Sequence, residues 1–131
     1  MRLSDCKTKE DVDEMISKDV LYGVDSNSHH VWVMPVVGIV YYPEDAVVHA
    51  FDYDDNSDFI PFEDRLVFDS LNEAMADAIK IGREKELKVA FLYKSDFWNM
   101  TEEDIADAEK AIAAGEDVNL EKIVERRLKN A

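Results

Sequence analysis

The segment that decides the fold is residues 30–53, which read HVWVMPVVGIVYYPEDAVVHAFDY. The segment is rich in Val, Ile, Tyr and Phe, the residue types that favour β-strands. Pro43-Glu44-Asp45 supplies a turn, so the two strands beside it are predicted to form a hairpin. Pro35 cannot donate to a strand ladder and therefore marks a bulge, an edge or a break. The predicted strands of this segment are 30–34, 36–42 and 46–53.

On either side of this segment, the sequence predicts helices that begin at capping residues. Thr8, Ser70 and Thr101 are each followed three positions later by an acidic residue, the pattern of a capping box. Gly82 and Gly115 are predicted ends of the second and third helices. The predicted helices start at Thr8, Ser70, Thr101 and either Asp117 or Asn119, and the further strands are 20–25, 65–69 and 87–93.

These elements together predict an α+β fold. The chain has 131 residues, of which 47% are hydrophobic, enough for one packed core. We expect one domain over residues 1–131, with a mainly antiparallel sheet of about four to five strands covered by a single layer of three to four helices.

Charge is distributed unevenly along the chain. There are 30 acidic and 15 basic residues, a net charge of -15. Residues 19–79 hold 13 acidic residues and one basic residue, Arg65. A second acidic group lies on the third predicted helix, where Lys110 is the only local base. Direct binding to DNA or RNA is disfavoured, because phosphates would be repelled by such a surface.

A dense acidic face attracts a basic partner and speeds its association. We therefore expect a binding protein rather than an enzyme, one that docks a basic surface on another protein. The most concrete form is a nucleic-acid mimic of the anti-defence or immunity type, which inhibits a nuclease or another nucleic-acid-processing enzyme. A face that only keeps the protein in solution, and a role in self-assembly, are the open alternatives. The predicted contact residues, with Tyr53 and Phe59 as aromatic anchors, are Glu44, Asp45, Asp52, Tyr53, Asp54, Asp55, Asp58, Phe59, Glu63 and Asp64.

A different class of function is suggested by residues 52–63, DYDDNSDFIPFE. Oxygen-bearing side chains stand at relative positions 1, 3, 5, 7 and 12, and the segment resembles a calcium-binding EF-hand loop. Ser57 replaces the glycine that such loops need at their sharp turn, and the preceding segment predicts a strand. The resemblance implies a small divalent-metal-binding or hydrolytic domain with calcium as its cofactor; otherwise we expect none. Its ligands would be Asp52, Asp54, Asn56, Asp58 and Glu63.

The remaining chemistry-bearing residues form no recognised motif. His29, His30 and His49 lack the spacing of paired metal ligands. Phe97-Trp98 is expected either to close the core or to anchor an interface. Cys6 is the only cysteine, which excludes an intrachain disulfide and favours a reducing compartment. The longest apolar stretch, 31–42, is too short to span a bilayer, so we expect a cytoplasmic protein without a membrane partner.

Overall fold

The computed structural model describes residues 2–17, 20–51, 57–61, 66–94 and 96–129. These ranges contain two short 3-10 helices, Leu3–Asp5 and Pro43–Asp45. The α-helices are α1 (Lys9–Ile16), α2 (Leu71–Lys85), α3 (Glu102–Ala113) and α4 (Leu120–Lys129). The strands are β1 (Val20–Ser26), β2 (His30–Tyr42), β3 (Val47–Phe51), β4 (Ser57–Pro61), β5 (Val67–Phe68), β6 (Lys88–Tyr93) and β7 (Asp96–Asn99).

The sheet is organised around β2, which spans 13 residues and pairs with three other strands. One edge of β2 pairs with β1, which pairs in turn with β5. The other edge is shared: residues 30–33 pair with β6 in parallel, and residues 37–42 pair with β3 antiparallel. β4 and β7 then extend the sheet beyond β3 and β6. Two groups of strands are thus joined along one long strand.

Pro35 lies where β2 changes partner along this shared edge. The pairing with β6 stops at Val33 and the pairing with β3 starts at Val37, so the missing N–H of Pro35 falls between the two ladders. A strand break at Pro35 was one of the expected outcomes, but β2 continues through it and pairs Pro35 with Tyr22. The irregularity of the strand is instead a bulge between Val37 and Val40.

The two faces of the sheet carry separate hydrophobic cores. Val24 and Val33 pair across β1 and β2 and belong to a core that α2, α3 and α4 complete. Leu21 and Val36 pair on the same two strands but belong to a second core. Because neighbouring side chains of a strand point to opposite faces, these cores lie on opposite sides of the sheet. Met15 of α1 packs into the second core, which we call the α1 core.

The α+β class predicted from the sequence is confirmed. The sheet has seven strands among the described residues, more than the four to five expected, and its β2–β6 pair is parallel. The prediction of a single helical layer was wrong, because α1 lies on the face opposite to α2, α3 and α4. The extra strands are β4 and β7, which are short and polar enough to resemble loops in sequence.

The end of α2 differs from the predicted one. Gly82 was expected to end the helix, but the last residue of α2 is Lys85. Glu86 is the C-cap, and its backbone is left-handed with φ 55°. Gly82 has a packing role instead: a Cβ there would lie 2.6 Å from a Val89 methyl and 3.1 Å from the Leu87 carbonyl oxygen. The glycine therefore lets α2 approach the start of β6.

Substitution of these two positions should shift stability in opposite directions. We expect Gly82→Ala to lower the free energy of unfolding by about 1–2 kcal/mol, because overpacking outweighs alanine's better helix propensity. We expect Glu86→Gly to raise it by about 0.5–1 kcal/mol, since glycine adopts the left-handed conformation without a steric penalty. Denaturant unfolding measures both, and a Gly82→Ala variant as stable as the wild type would contradict the packing role.

Candidate functional site

The structure describes only part of the predicted docking site. Glu44 and Asp45 lie in the 3-10 turn between β2 and β3 and are exposed. Phe59 lies in β4 and is 57% exposed. The backbone of Asp58 also lies in β4. The other predicted contact residues lie outside the described residues: Asp52, Tyr53, Asp54, Asp55, Glu63 and Asp64.

Predicted acidic residues flank both ends of one short strand, β3, in the sequence. β3 has five residues, so its ends are about 14 Å apart at the usual rise per residue. Glu44 and Asp45 precede the Val47 end. Phe51 and Ser57 pair at the opposite end, and residues 52–56 connect them in the sequence. A distance of this size fits within one protein interface, which covers about 800 Å² on each partner.

Between these two ends lies an exposed apolar face. Val40 pairs with His49, and His49 pairs with Phe59, so the three side chains stand in a row across β2, β3 and β4. Tyr42 lies two residues beyond Val40 on the same side of β2. We call Val40, Tyr42, His49 and Phe59 the meander face. The opposite side of these strands is packed, because Val48 and Ile60 join the α1 core.

The rings of the meander face are in contact. His49 and Phe59 stack with their centroids 4.3 Å apart and their planes 11° from parallel. Tyr42 lies 6.3 Å from Phe59 at an angle of 44°. Val40 is 48% exposed and Tyr42 is 40% exposed. The sequence identified Phe59 as an anchor but gave no reason to join it to Val40 and His49, because their proximity depends on strand register.

The acidic group on α3, by contrast, is largely paired within the protein. Asp104 is 2% exposed and accepts hydrogen bonds from the Thr101 amide at 3.0 Å and from Arg126 at 2.5 Å. Arg127 lies 3.1 Å from the other carboxylate oxygen of Asp104. These arginines belong to α4, so the Asp104 pairing holds two helices together. Lys110 is the only base within α3 itself, and the partners of Asp104 come from α4 instead.

The next acidic residues of α3 are paired as well. Asp107 accepts a hydrogen bond from Arg126 at 2.5 Å. Glu109 accepts two hydrogen bonds from Arg83 of α2. The sequence did not reveal these pairs, because their basic partners come from other helices. The acidic charge of α3 therefore contributes to helix packing, and the meander face remains the stronger candidate for docking.

The predicted metal site falls partly outside the described residues. Residues 52–56, 62 and 63 are not described, whereas Ser57–Pro61 form β4 in the middle of the proposed ligand loop. The segment also follows a strand, β3, where an EF-hand loop follows a helix. Among the residues that the structure describes, no three His, Cys, Asp or Glu side chains are grouped as metal ligands would be.

The other candidate residues occupy separate places. Cys6 is buried in the α1 core, where its Sγ lies 3.8 Å from the sulfur of Met15, and burial raises the pKa of its thiol. Trp98 packs against the core of α2, α3 and α4. Its neighbour Phe97 is 61% exposed and meets Trp32 edge to face. Trp98 thus closes the core, which was one of the two expected roles, whereas Phe97 faces outward and an anchoring role for it stays a prediction.

A groove of about 410 Å³ lies between the middle of β2, the end of β6 and the start of α4. Its walls are mainly apolar and include Val33, Pro35 and Leu92. Lys94 and Asp117 also line it, but its described lining includes no histidine, cysteine or serine. The described lining of the groove therefore lacks the nucleophile that a hydrolytic site of the serine or cysteine type requires.

Comparison with protein families, with curated proteins and with solved structures finds no match to this chain. Among the helices of the described ranges, none is both long and apolar enough to cross a membrane.

The Asp104 pairing predicts a specific pH dependence of stability. Burial acts to raise the pKa of Asp104, but hydrogen bonds from the Thr101 amide and from Arg126 outweigh it, and the pKa lies below its ordinary value. A carboxyl group with a lowered pKa stabilises the fold above its ordinary pKa and loses this contribution as the pH falls. We expect Asp104→Asn to cost about 2–4 kcal/mol near neutral pH, with a smaller difference from wild type below about pH 4.

Asp107→Asn is the matched control, because Asp107 binds the same Arg126 from an exposed position. We expect it to cost less than about 1 kcal/mol. Urea unfolding at several pH values provides the comparison. Equal losses for the two variants would rule out a special role for the buried carboxylate.

Proposed function

We propose that this protein is a non-enzymatic acidic binding protein that docks a basic surface on another protein through the meander face. The proposal depends mainly on one observation, the exposure of contacting apolar and aromatic side chains on strands whose opposite side is packed. Apolar side chains that lie together on a surface are typical of interaction sites. Tyrosine and other large aromatic residues also supply much of the binding energy in protein interfaces.

Charge indicates the kind of partner. Exposed Glu44 and Asp45 follow Tyr42 closely in the chain. Residues 52–56 and 62–65, which continue from β3 and β4, add five acidic residues and Arg65. An apolar centre with a charged surround is the usual composition of a protein interface. The exposed carboxylates of Glu44 and Asp45 favour a basic partner, since opposite potentials speed association and reject wrong partners.

The most concrete form of this function is inhibition of a nucleic-acid-processing enzyme. Protein surfaces that bind nucleic acid are strongly basic, because they neutralise phosphates. A protein with acidic residues around an aromatic centre would occupy such a surface in place of the nucleic acid. Proteins of the anti-defence or immunity type act in this way, and the proposal includes a cytoplasmic location.

The partner can be found by capture from a lysate of the native host, with variants that define the surface. Tyr42→Ser/Phe59→Ser removes two rings of the meander face. Phe97→Ser is the control, because it removes a similarly exposed ring from β7. We expect a basic protein that wild type and Phe97→Ser retain and the double variant loses. A protein retained equally by all three would contradict docking through the meander face.

Salt dependence then tests the electrostatic part with the purified partner. The Debye length falls from about 10 Å at 0.1 M salt to about 3 Å at 1 M, so we expect the Kd to rise at least about tenfold over this range. Excess duplex DNA or RNA should also displace the protein from its partner. An affinity unchanged by salt would exclude electrostatic docking, and a stable ternary complex with nucleic acid would exclude mimicry.

A further inference from the structure

We propose that the meander face selects arginine over lysine side chains of its partner, with a guanidinium group stacked on the aromatic rings. The inference rests on the proposed function and specifies its contact chemistry. The proposed binding site consists of the rings of Tyr42, His49 and Phe59 and the carboxylates of Glu44 and Asp45. Two independent features support it, the arrangement of the rings and the position of the acidic turn.

The rings of Tyr42 and Phe59 provide exposed aromatic surface on which a guanidinium group can stack. His49 supports Phe59 from one side, with the two rings nearly parallel at 4.3 Å. Tyr42 stands beside Phe59 at a tilt of 44°, and more than half of Phe59 is exposed. A planar guanidinium stacks on aromatic rings and is weakly hydrated, whereas the compact ammonium of lysine holds its water strongly.

The acidic turn supplies carboxylates that can accept hydrogen bonds from the guanidinium group. Glu44 and Asp45 lie in the 3-10 turn that begins directly after Tyr42, and both are exposed. The turn is closed by Ala46, whose left-handed backbone has φ 52°. Arginine can stack on a ring and present its N–H groups to a carboxylate at the same time, because its donors lie in the plane of the group. Lysine cannot satisfy both contacts in this way.

Charge disfavours the other occupants of such a face. A second copy of this chain would bring two molecules of charge -15 together, which self-repulsion opposes. Nucleic acid and anionic membrane surfaces would be repelled by the same carboxylates. A protein segment with exposed arginine side chains is therefore the occupant that fits both the rings and their surroundings.

The test uses arginine and lysine homopeptides of matched length as probes, titrated into the 131-residue chain and followed by amide NMR spectra. These spectra report the affinity, the location of binding and whether each variant is folded. We expect the arginine peptide to bind roughly three- to tenfold more tightly than the lysine peptide. The largest shifts should fall on residues 40–49 and 57–61.

Variants separate stacking from charge. Phe59→Ser should reduce arginine binding to the lysine level and leave lysine binding unchanged. Glu44→Gln/Asp45→Asn should weaken both peptides. Glu121→Gln/Glu125→Gln, which changes the charge equally at exposed positions of α4, should leave the preference for arginine intact.

The outcomes distinguish this inference from the proposed function. Equal binding of both peptides to the wild type, or a preference for arginine that survives in Phe59→Ser, would overturn arginine selection and leave a basic partner possible. If neither peptide bound, even at low salt, the result would contradict both the selection of arginine and the proposed docking of a basic partner. Shifts centred on α1 or α4 would place cation binding elsewhere and overturn the role of the meander face.

Discussion

The pairing of β2 with two strands on one edge is the constraint on which the rest of the structure depends. The first part of that edge holds β6 in parallel, and the last part holds β3 antiparallel. Pro35 lies between the two ladders, where its lack of an N–H costs no strand hydrogen bond. This arrangement places the β3–β4 hairpin beside the last part of β2, away from the part that pairs with β6. One side of the hairpin packs on the α1 core and the other remains exposed.

The acidic residues serve two different physical roles. On α3, carboxylates pair with arginines from α2 and α4 and join three helices. Around the β3–β4 hairpin, the described acidic side chains of Glu44 and Asp45 are exposed. Amino-acid composition alone does not distinguish the carboxylates of α3 from those of Glu44 and Asp45. The position of their basic neighbours separates them, because carboxylates of α3 are paired within the protein whereas Glu44 and Asp45 are exposed.

Local signals in the sequence predicted most of the helices and strands. They did not predict which strands pair or which side chains meet between segments far apart in the chain. Thr8 and Thr101 identify their helices because each capping box is complete within four residues. The parallel pairing of β2 with β6 and the approach of Arg126 to Asp104 depend on segments far apart in the chain. Phe59 was identified as an anchor by its residue type. Its stacking with His49 depends on the register of β3 and β4, which the sequence does not encode locally.

The positions of the two tryptophans have a spectroscopic consequence. Trp98 packs against the core of α2, α3 and α4, and Trp32 lies on the part of β2 that pairs with β6. Neither residue belongs to the β3–β4 hairpin. Emission from Trp98 therefore reports melting of the helical layer, and emission from Trp32 reports the opposite face of the sheet, because Val31 and Val33 on either side of it point into the helical core. Amide exchange in β3 and β4 reports opening of the hairpin. The two probes together separate a local rearrangement from global denaturation.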